Sequence, residues 1–259
     1  MNILVYQYDT LWESPSDNHL RIESALLQWF KENPQGADIV VLPEFFSTGF
    51  TMNRSLAQQI DGESVLFLRE LSQRLGAALV GSVPVKENSK LYNRACFATP
   101  RGELFCYDKR HLFRMSDENE IYSSGSGREC FQYMGWNISL NICYDLRFPV
   151  WSRNVSNHYD LMINVANWPV QRIEVARTLA RARAIENQSY FIFANRSGES
   201  PFEKYNGGSM IVDYKGNDIA KGDNGKFLTA ALDLEQLNGF RQKFPAWMDA
   251  DEFQVQEKQ

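Results

Sequence analysis

Histidine and cysteine are scarce, with three of the first and four of the second in 259 residues. Cys96, Cys106, Cys130 and Cys143 stand 10, 24 and 13 positions apart, and no CxxC pair occurs. A zinc site therefore lacks its usual ligand spacing. A disulfide framework is not required at this length, where a hydrophobic core suffices. The economical reading is a cytoplasmic protein with reduced thiols. Basic excess is lacking as well: 27 Lys and Arg against 32 Asp and Glu give a net charge of −5. That argues against a nucleic-acid partner, which calls for a basic stripe. Long apolar runs are missing, since 39–43 and 65–68 fall far short of the roughly 20 residues that cross a bilayer. No membrane partner is expected. Residues 1–10 carry no Lys or Arg and no long apolar core, so they read as a first strand and not as a secretory signal. The phosphate loops GxGxxG and GxxxxGKS/T are absent; Gly125-Ser126-Gly127 comes nearest but lacks the third glycine.

What is present is ordinary globular material, 44% apolar and 23% charged, with no repeat, charge block or linker. A strand over 3–6 precedes a helix over 17–32, with Leu20, Ala25, Leu26, Trp29 and Phe30 on roughly one face. A buried strand follows at 39–42. Asp61 suits the N-cap of a helix through Leu75, and Gly76 suits its left-handed end. Strand patterns then cover 78–85, 94–99, 104–107, 136–143 and 161–165. A long helix spans 172–188, and further strands cover 190–194, 209–212 and 227–232. The hairpin across 100–103 speaks against a wholly parallel sheet, so mixed sheets covered by helices fit better.

Three strand ends carry reactive groups. Cys143 closes the strand 136–143 and is followed at once by the polar string containing Asp145 and Arg147. That position displays it at the sheet rim, where α/β proteins place ligands. A buried cysteine acting as a small hydrophobe is the default for Cys96, Cys106 and Cys130. Glu44 follows the strand 39–42 and Pro43, with Phe45 and Phe46 behind it; aromatic surroundings suit a carboxyl general base, although a loop-capping role is equally open. Lys109 follows the strand 104–107. A positioned ammonium can receive a developing oxyanion, and Glu118 can orient it; Asp117 and Glu120 read equally well as surface charges. Histidine is a poor base here. His19 lies in a surface-helix pattern, His158 in a polar loop, and only His111 is near other candidates. Carboxylate, ammonium and thiol together make a complete amide-hydrolysing set.

At this point the chain resembles the nitrilase superfamily of carbon–nitrogen hydrolases. The Glu–Lys–Cys order is carried by Pro43-Glu44, Lys109 and Cys143, separated by 65 and 34 positions, and 181–191 resembles the long helix of that family entering its next strand. The resemblance runs over the whole chain, 1–259, as one domain. It implies a four-layer αββα sandwich of two mixed β-sheets with outer helices, assembled as a homodimer. It also implies a second acid, matched by Glu118 and not Glu120, and no metal or organic cofactor.

The segments 143–154, 164–172 and 244–253 resemble the omega-amidase branch, which implies hydrolysis of the terminal amide of 2-oxoglutaramate and 2-oxosuccinamate. A small anionic amide needs a fixed cation, and Arg147 offers a bidentate fork; an ion pair with Asp145 is its alternative. His111 and Trp168 are candidates for the same pocket, with Trp168 more at home in the core. Carbamoyl-amino-acid hydrolases, aliphatic amidases and true nitrilases compete within the same chemistry. A non-catalytic scaffold and a thiol redox sensor compete from outside it.

Overall fold

The computed structural model describes residues 1–128, 130–222 and 226–255. The chain begins with β1 (Asn2–Tyr6), α1 (Pro15–Glu32), β2 (Ile39–Val41), α2 (Glu63–Leu75), β3 (Ala78–Glu87), β4 (Lys90–Ala98), β5 (Leu104–Asp108) and the single turn α3 (Glu118–Ile121). It continues through β6 (Cys130–Tyr133), β7 (Trp136–Ile142), α4 (Pro149–Ser152), β8 (Leu161–Ala166), α5 (Ile173–Glu186) and β9 (Tyr190–Asn195). The last part holds β10 (Ser197–Glu199), β11 (Lys204–Asn206), β12 (Met210–Val212), β13 (Asp218–Lys221), β14 (Phe227–Ala231) and α6 (Leu234–Lys243).

Strands run in the order β14-β1-β2-β3-β4-β5 in one sheet and β13-β12-β9-β8-β7-β6 in the other, with β10 and β11 forming a small separate ribbon. The alternation of side chains along each strand explains the layering. Ile3, Val5, Ile39, Val41, Ala78 and Val80 face Ile138, Leu140, Ile163 and Val165 of the opposing sheet. Leu4, Val40, Leu42 and Leu79 point the other way, onto Ile22 and Leu26 of α1 and Leu68 and Leu71 of α2. On the far side, Met162, Phe191 and Phe193 meet Ala176, Ala180 and Ala184 of α5. Strands buried on both faces read as unbroken apolar runs, which is why 39–42 looked continuous in the sequence. The result is the αββα sandwich that the resemblance implied. Among the described residues no helix is long and apolar enough to cross a membrane.

Three local expectations change. Gly62, not Asp61, caps α2, although the helix does end at Gly76 with φ +66°. The buried side of α1 carries Asn18, His19, Ile22 and Leu26, while Leu20 is 66% exposed. His19 is no surface residue: its ring stacks on Phe67 and its Nε2 lies 3.2 Å from Ser64 Oγ. The Asn18 amide nitrogen donates to the Leu11 and Ser47 carbonyls, so polar groups sit on a face that apolar spacing alone does not reveal. Finally, β3 and β4 form one long hairpin whose turn residues Asn88 and Ser89 both have positive φ, as tight two-residue turns require.

Candidate active site

The register of the two sheets brings four strand ends to one edge. β2 runs parallel to β3, and two antiparallel steps through β4 turn β5 back to the direction of β2. β7 and β8 are parallel in the other sheet. Residues just past the C-terminal ends of β2, β5, β7 and β8 therefore converge: Glu44, Lys109, Cys143 and Asn167.

Glu44 and Lys109 are fully buried, and Lys109 Nζ lies 2.8 Å from Glu44 Oε1. On its other side Nζ lies 2.9 Å from both carboxylate oxygens of Glu118, which is also fully buried at the start of α3. Glu120 is exposed, so the structure sets Glu118 and not Glu120 against the ammonium. Burial opposes a charged Lys109, but the charges of Glu118 and Glu44 work against it and the pKa is raised, so the ammonium persists. Burial raises the Glu118 carboxyl, with Lys109 pulling against it and Glu44 adding to it. The ring of Phe50 covers the ammonium at 5.2 Å and keeps water off it.

Cys143 does not end the strand. β7 stops at Ile142, and Cys143 opens a tight helical turn, Cys143–Arg147, with φ +45°. A non-glycine residue held there stores roughly 1–3 kcal/mol of strain. Asp145 secures the turn: it is buried and accepts from Ile142 N at 3.1 Å, Tyr107 Oη at 2.7 Å and His111 N at 2.9 Å. The Glu44 side chain and the backbone N–H of Asn167 stand close enough to the Cys143 thiol to act on its proton affinity. Burial raises the thiol pKa well above its ordinary value and Glu44 adds to this, while Lys109 opposes it. The resting group is a thiol beside a carboxylate.

Two asparagines escaped the sequence reading. Asn93, on β4, is fully buried and donates from one Nδ2 to Glu44 Oε1 at 2.8 Å and to Glu118 Oε1 at 3.1 Å. Asn167 donates to the Glu44 carbonyl at 2.7 Å and to its Oε2 at 3.2 Å. Asn93 is set beside Lys109 by the ladder itself, since Lys109 N bonds the Asn93 carbonyl at 2.9 Å. The loop after α3 packs on this same corner: a Cβ at Gly125 would meet the Asp108 carbonyl oxygen at 2.2 Å, so only glycine fits.

A cavity of about 770 Å³ opens onto Cys143 and Glu44, with Arg147, Asn167 and Trp168 in its wall. Arg147 does not pair with Asp145. Its guanidinium lies 4.9 Å over the Trp168 ring, and no described carboxylate comes within ion-pair distance. Trp168 serves both readings: it is 3% exposed, packs in the outer core and also lines the cavity. His111 is not in this wall. Its ring stacks on Phe148 at 3.7 Å and its Nδ1 lies 2.8 Å from Asp145, so it braces the turn from behind.

The chain matches the carbon–nitrogen hydrolase family model over residues 3–242. It belongs to that family. This carbon–nitrogen hydrolase is a hydrolase acting on amides. It is 38% identical over 258 residues to Omega-amidase YafV of Escherichia coli (strain K12), covering 98% of each chain. It is 32% identical over 249 residues to 2-oxoglutaramate amidase of Bacillus subtilis (strain 168), covering 94% of this chain and 95% of the relative. In structure it resembles XC1258 from Xanthomonas campestris, a CN-hydrolase superfamily protein with an arsenic adduct in its active site. That match has a TM-score of 0.92 at 36% identity and covers 99% of both chains.

Proposed function

We propose that this hydrolase cleaves the terminal amide of small 2-oxo dicarboxylate monoamides through a thioester on Cys143. The supporting observation is the buried contact of Lys109 with Glu44 and Glu118 beside the Cys143 thiol, on the floor of a cavity whose wall holds the unpaired Arg147.

In this reading Glu44 takes the thiol proton as sulfur attacks the amide carbon, forming the C–S bond. Lys109 and a backbone N–H of the turn stabilise the tetrahedral oxyanion. Protonated Glu44 returns its proton to nitrogen, the C–N bond breaks and ammonia leaves. Water, deprotonated by Glu44, then attacks the thioester, and the thiol and 2-oxo acid are released. Because the thiol pKa is raised, the nucleophile forms only as Glu44 acts on it; a standing hyper-reactive thiolate is not part of the scheme. Glu118 and Asn93 hold Lys109 and Glu44 in place. Arg147 binds the substrate carboxylate, and Trp168 supplies the face on which that guanidinium rests.

The scheme draws on no metal or organic cofactor. It includes one catalytic domain over 1–259, a cytoplasmic setting that keeps the thiol reduced, and a homodimer built on the outer helices. Val150 on α4 and Val175 and Ile185 on α5 are exposed on that side. A second reading, a carbon–nitrogen hydrolase for bulkier amides such as carbamoyl amino acids, is favoured by the cavity's apolar outer wall of Trp12, Phe50, Met52 and Phe113. Ammonia release from 2-oxoglutaramate, 2-oxosuccinamate, carbamoyl amino acids, aliphatic amides and nitriles tests both. The proposal expects the highest kcat/KM on the two 2-oxo amides. A clear preference for carbamoyl amino acids or neutral amides contradicts it.

A further inference from the structure

A second cavity, of about 410 Å³, lies under α4 on the outer face of β7 and β8. Its wall holds Arg128, Arg153 and His158, and among the described residues it includes no Asp or Glu. In a chain of net charge −5 such a gathering runs against composition. Arg128 and Arg153 make no ion pair among the described residues; each is held instead by one backbone carbonyl. Arg128 Nη2 donates to the Arg153 carbonyl at 2.6 Å, and Arg153 Nη1 to the Glu186 carbonyl at 2.6 Å. Among the described residues the remaining N–H groups of both forks make no further hydrogen bond. Burial lowers the Arg128 pKa, with Tyr159 and Tyr107 opposing it. A half-buried guanidinium without a counter-charge is costly unless an anion joins it.

The inner wall of the same cavity is Trp151 and Tyr107. Trp151 Nε1 donates to Tyr107 Oη at 2.8 Å, and Tyr107 Oη donates to Asp145 Oδ2 at 2.7 Å. Asp145 in turn fixes the turn that opens at Cys143. Arg128 lies over the Trp151 ring at 5.8 Å, so a ligand that moves Arg128 bears on the first member of this chain.

We propose that this cavity binds a small dianion of the carboxylate or phosphate class between Arg128, Arg153 and His158, and that its occupancy is felt at Cys143 through Trp151, Tyr107 and Asp145. Two guanidinium forks supply permanent charge and bidentate donors matched to such oxygens. The imidazole of His158 adds an N–H donor in either protonation state. The site stands apart from the amide reading, because none of Arg128, Arg153 and His158 lines the cavity at Cys143.

Calorimetric titration of the full chain with inorganic phosphate, and separately with 2-oxoglutarate, distinguishes the two sources. The Arg147→Ala background removes carboxylate binding at the first cavity. Saturable binding near one equivalent is expected to survive Arg147→Ala and to weaken at least tenfold in Arg128→Gln and in Arg153→Gln. Arg153 is less enclosed by aromatic rings, so its variant gives the reading if Arg128→Gln does not fold. In steady-state assays the bound dianion is expected to change kcat at least twofold, and Tyr107→Phe is expected to bind the anion yet lose that change. No saturable binding at low-millimolar anion, or binding indifferent to Arg128 and Arg153, overturns the site. Binding with an unchanged kcat overturns the coupling.

Discussion

Lys109 Nζ lies 2.8 Å from Glu44 Oε1, and neither side chain reaches solvent. A charge so enclosed is tolerated only while its partners remain. Removing one partner leaves the others uncompensated and typically costs about 3–5 kcal/mol.

Lys109→Met is therefore expected to lower unfolding stability by about that amount and to abolish turnover. Adding Glu118→Gln to Lys109→Met removes one orphaned carboxylate and is expected to restore part of the stability but none of the activity. Urea unfolding of both variants checks this. Equal stability of Lys109→Met and the parent would show that the cluster is solvated in a way the geometry excludes.

Asn93 joins the two carboxylates through one amide nitrogen. Asn93→Asp keeps the shape, removes the donor and adds a third negative group. We expect kcat to fall roughly 100-fold or more, within the span of general acid–base catalysis, with KM nearly unchanged. The acid limb of the pH–rate profile should move to higher pH, because like charge disfavours ionised carboxyls. A change in KM alone, with an unmoved profile, would assign Asn93 to substrate contact instead.

The same side chains show what sequence reading can and cannot reach. Glu44, Lys109 and Cys143 were legible because each follows an apolar strand and breaks its pattern with a reactive group. Their meeting depended on resemblance, since no periodicity states which strand ends are neighbours. Asn93 and Asn167 left no trace: an asparagine is chemically unremarkable until the β4–β5 register and the loop after β8 place it on a carboxylate. His111 was near the right residues but on the wrong side of the turn, because Asp145 draws its ring away from the cavity. The layered sheets were readable from apolar runs. The β3–β4 hairpin, α6 and the polar buried face of α1 were not, since each is set by tertiary contacts or by positive-φ turn residues.

Burial and Glu44 hold the Cys143 thiol well above its ordinary value of 9.0. An unfolded chain releases that proton near its ordinary value, whereas the folded chain retains it. The folded state then binds more protons, so this contribution to stability is complete below about pH 9 and declines as pH rises toward the folded pKa. Cys143→Ala removes the slope. Urea midpoints followed from about pH 8 to 10 should fall less steeply in the variant than in the parent. Parallel slopes would mean that the thiol is not shifted upward.

Arg147 faces the cavity from a turn tied down by Asp145, and its guanidinium rests over the Trp168 ring. A charge-assisted contact to a carboxylate is worth about 1.5–3 kcal/mol. Arg147→Ala should thus raise KM for 2-oxoglutaramate roughly 10- to 100-fold, while neutral amides keep their KM. An equal loss on charged and neutral amides would place the substrate carboxylate elsewhere.

The covalent step is open to one direct measurement: rapid quenching during turnover of 2-oxoglutaramate, followed by mass spectrometry of the peptide containing Cys143. The account predicts an acyl adduct on Cys143 that disappears as substrate is exhausted, with no adduct and no ammonia release in Cys143→Ala. Ammonia release by Cys143→Ala, or an adduct on another residue in its place, would contradict it.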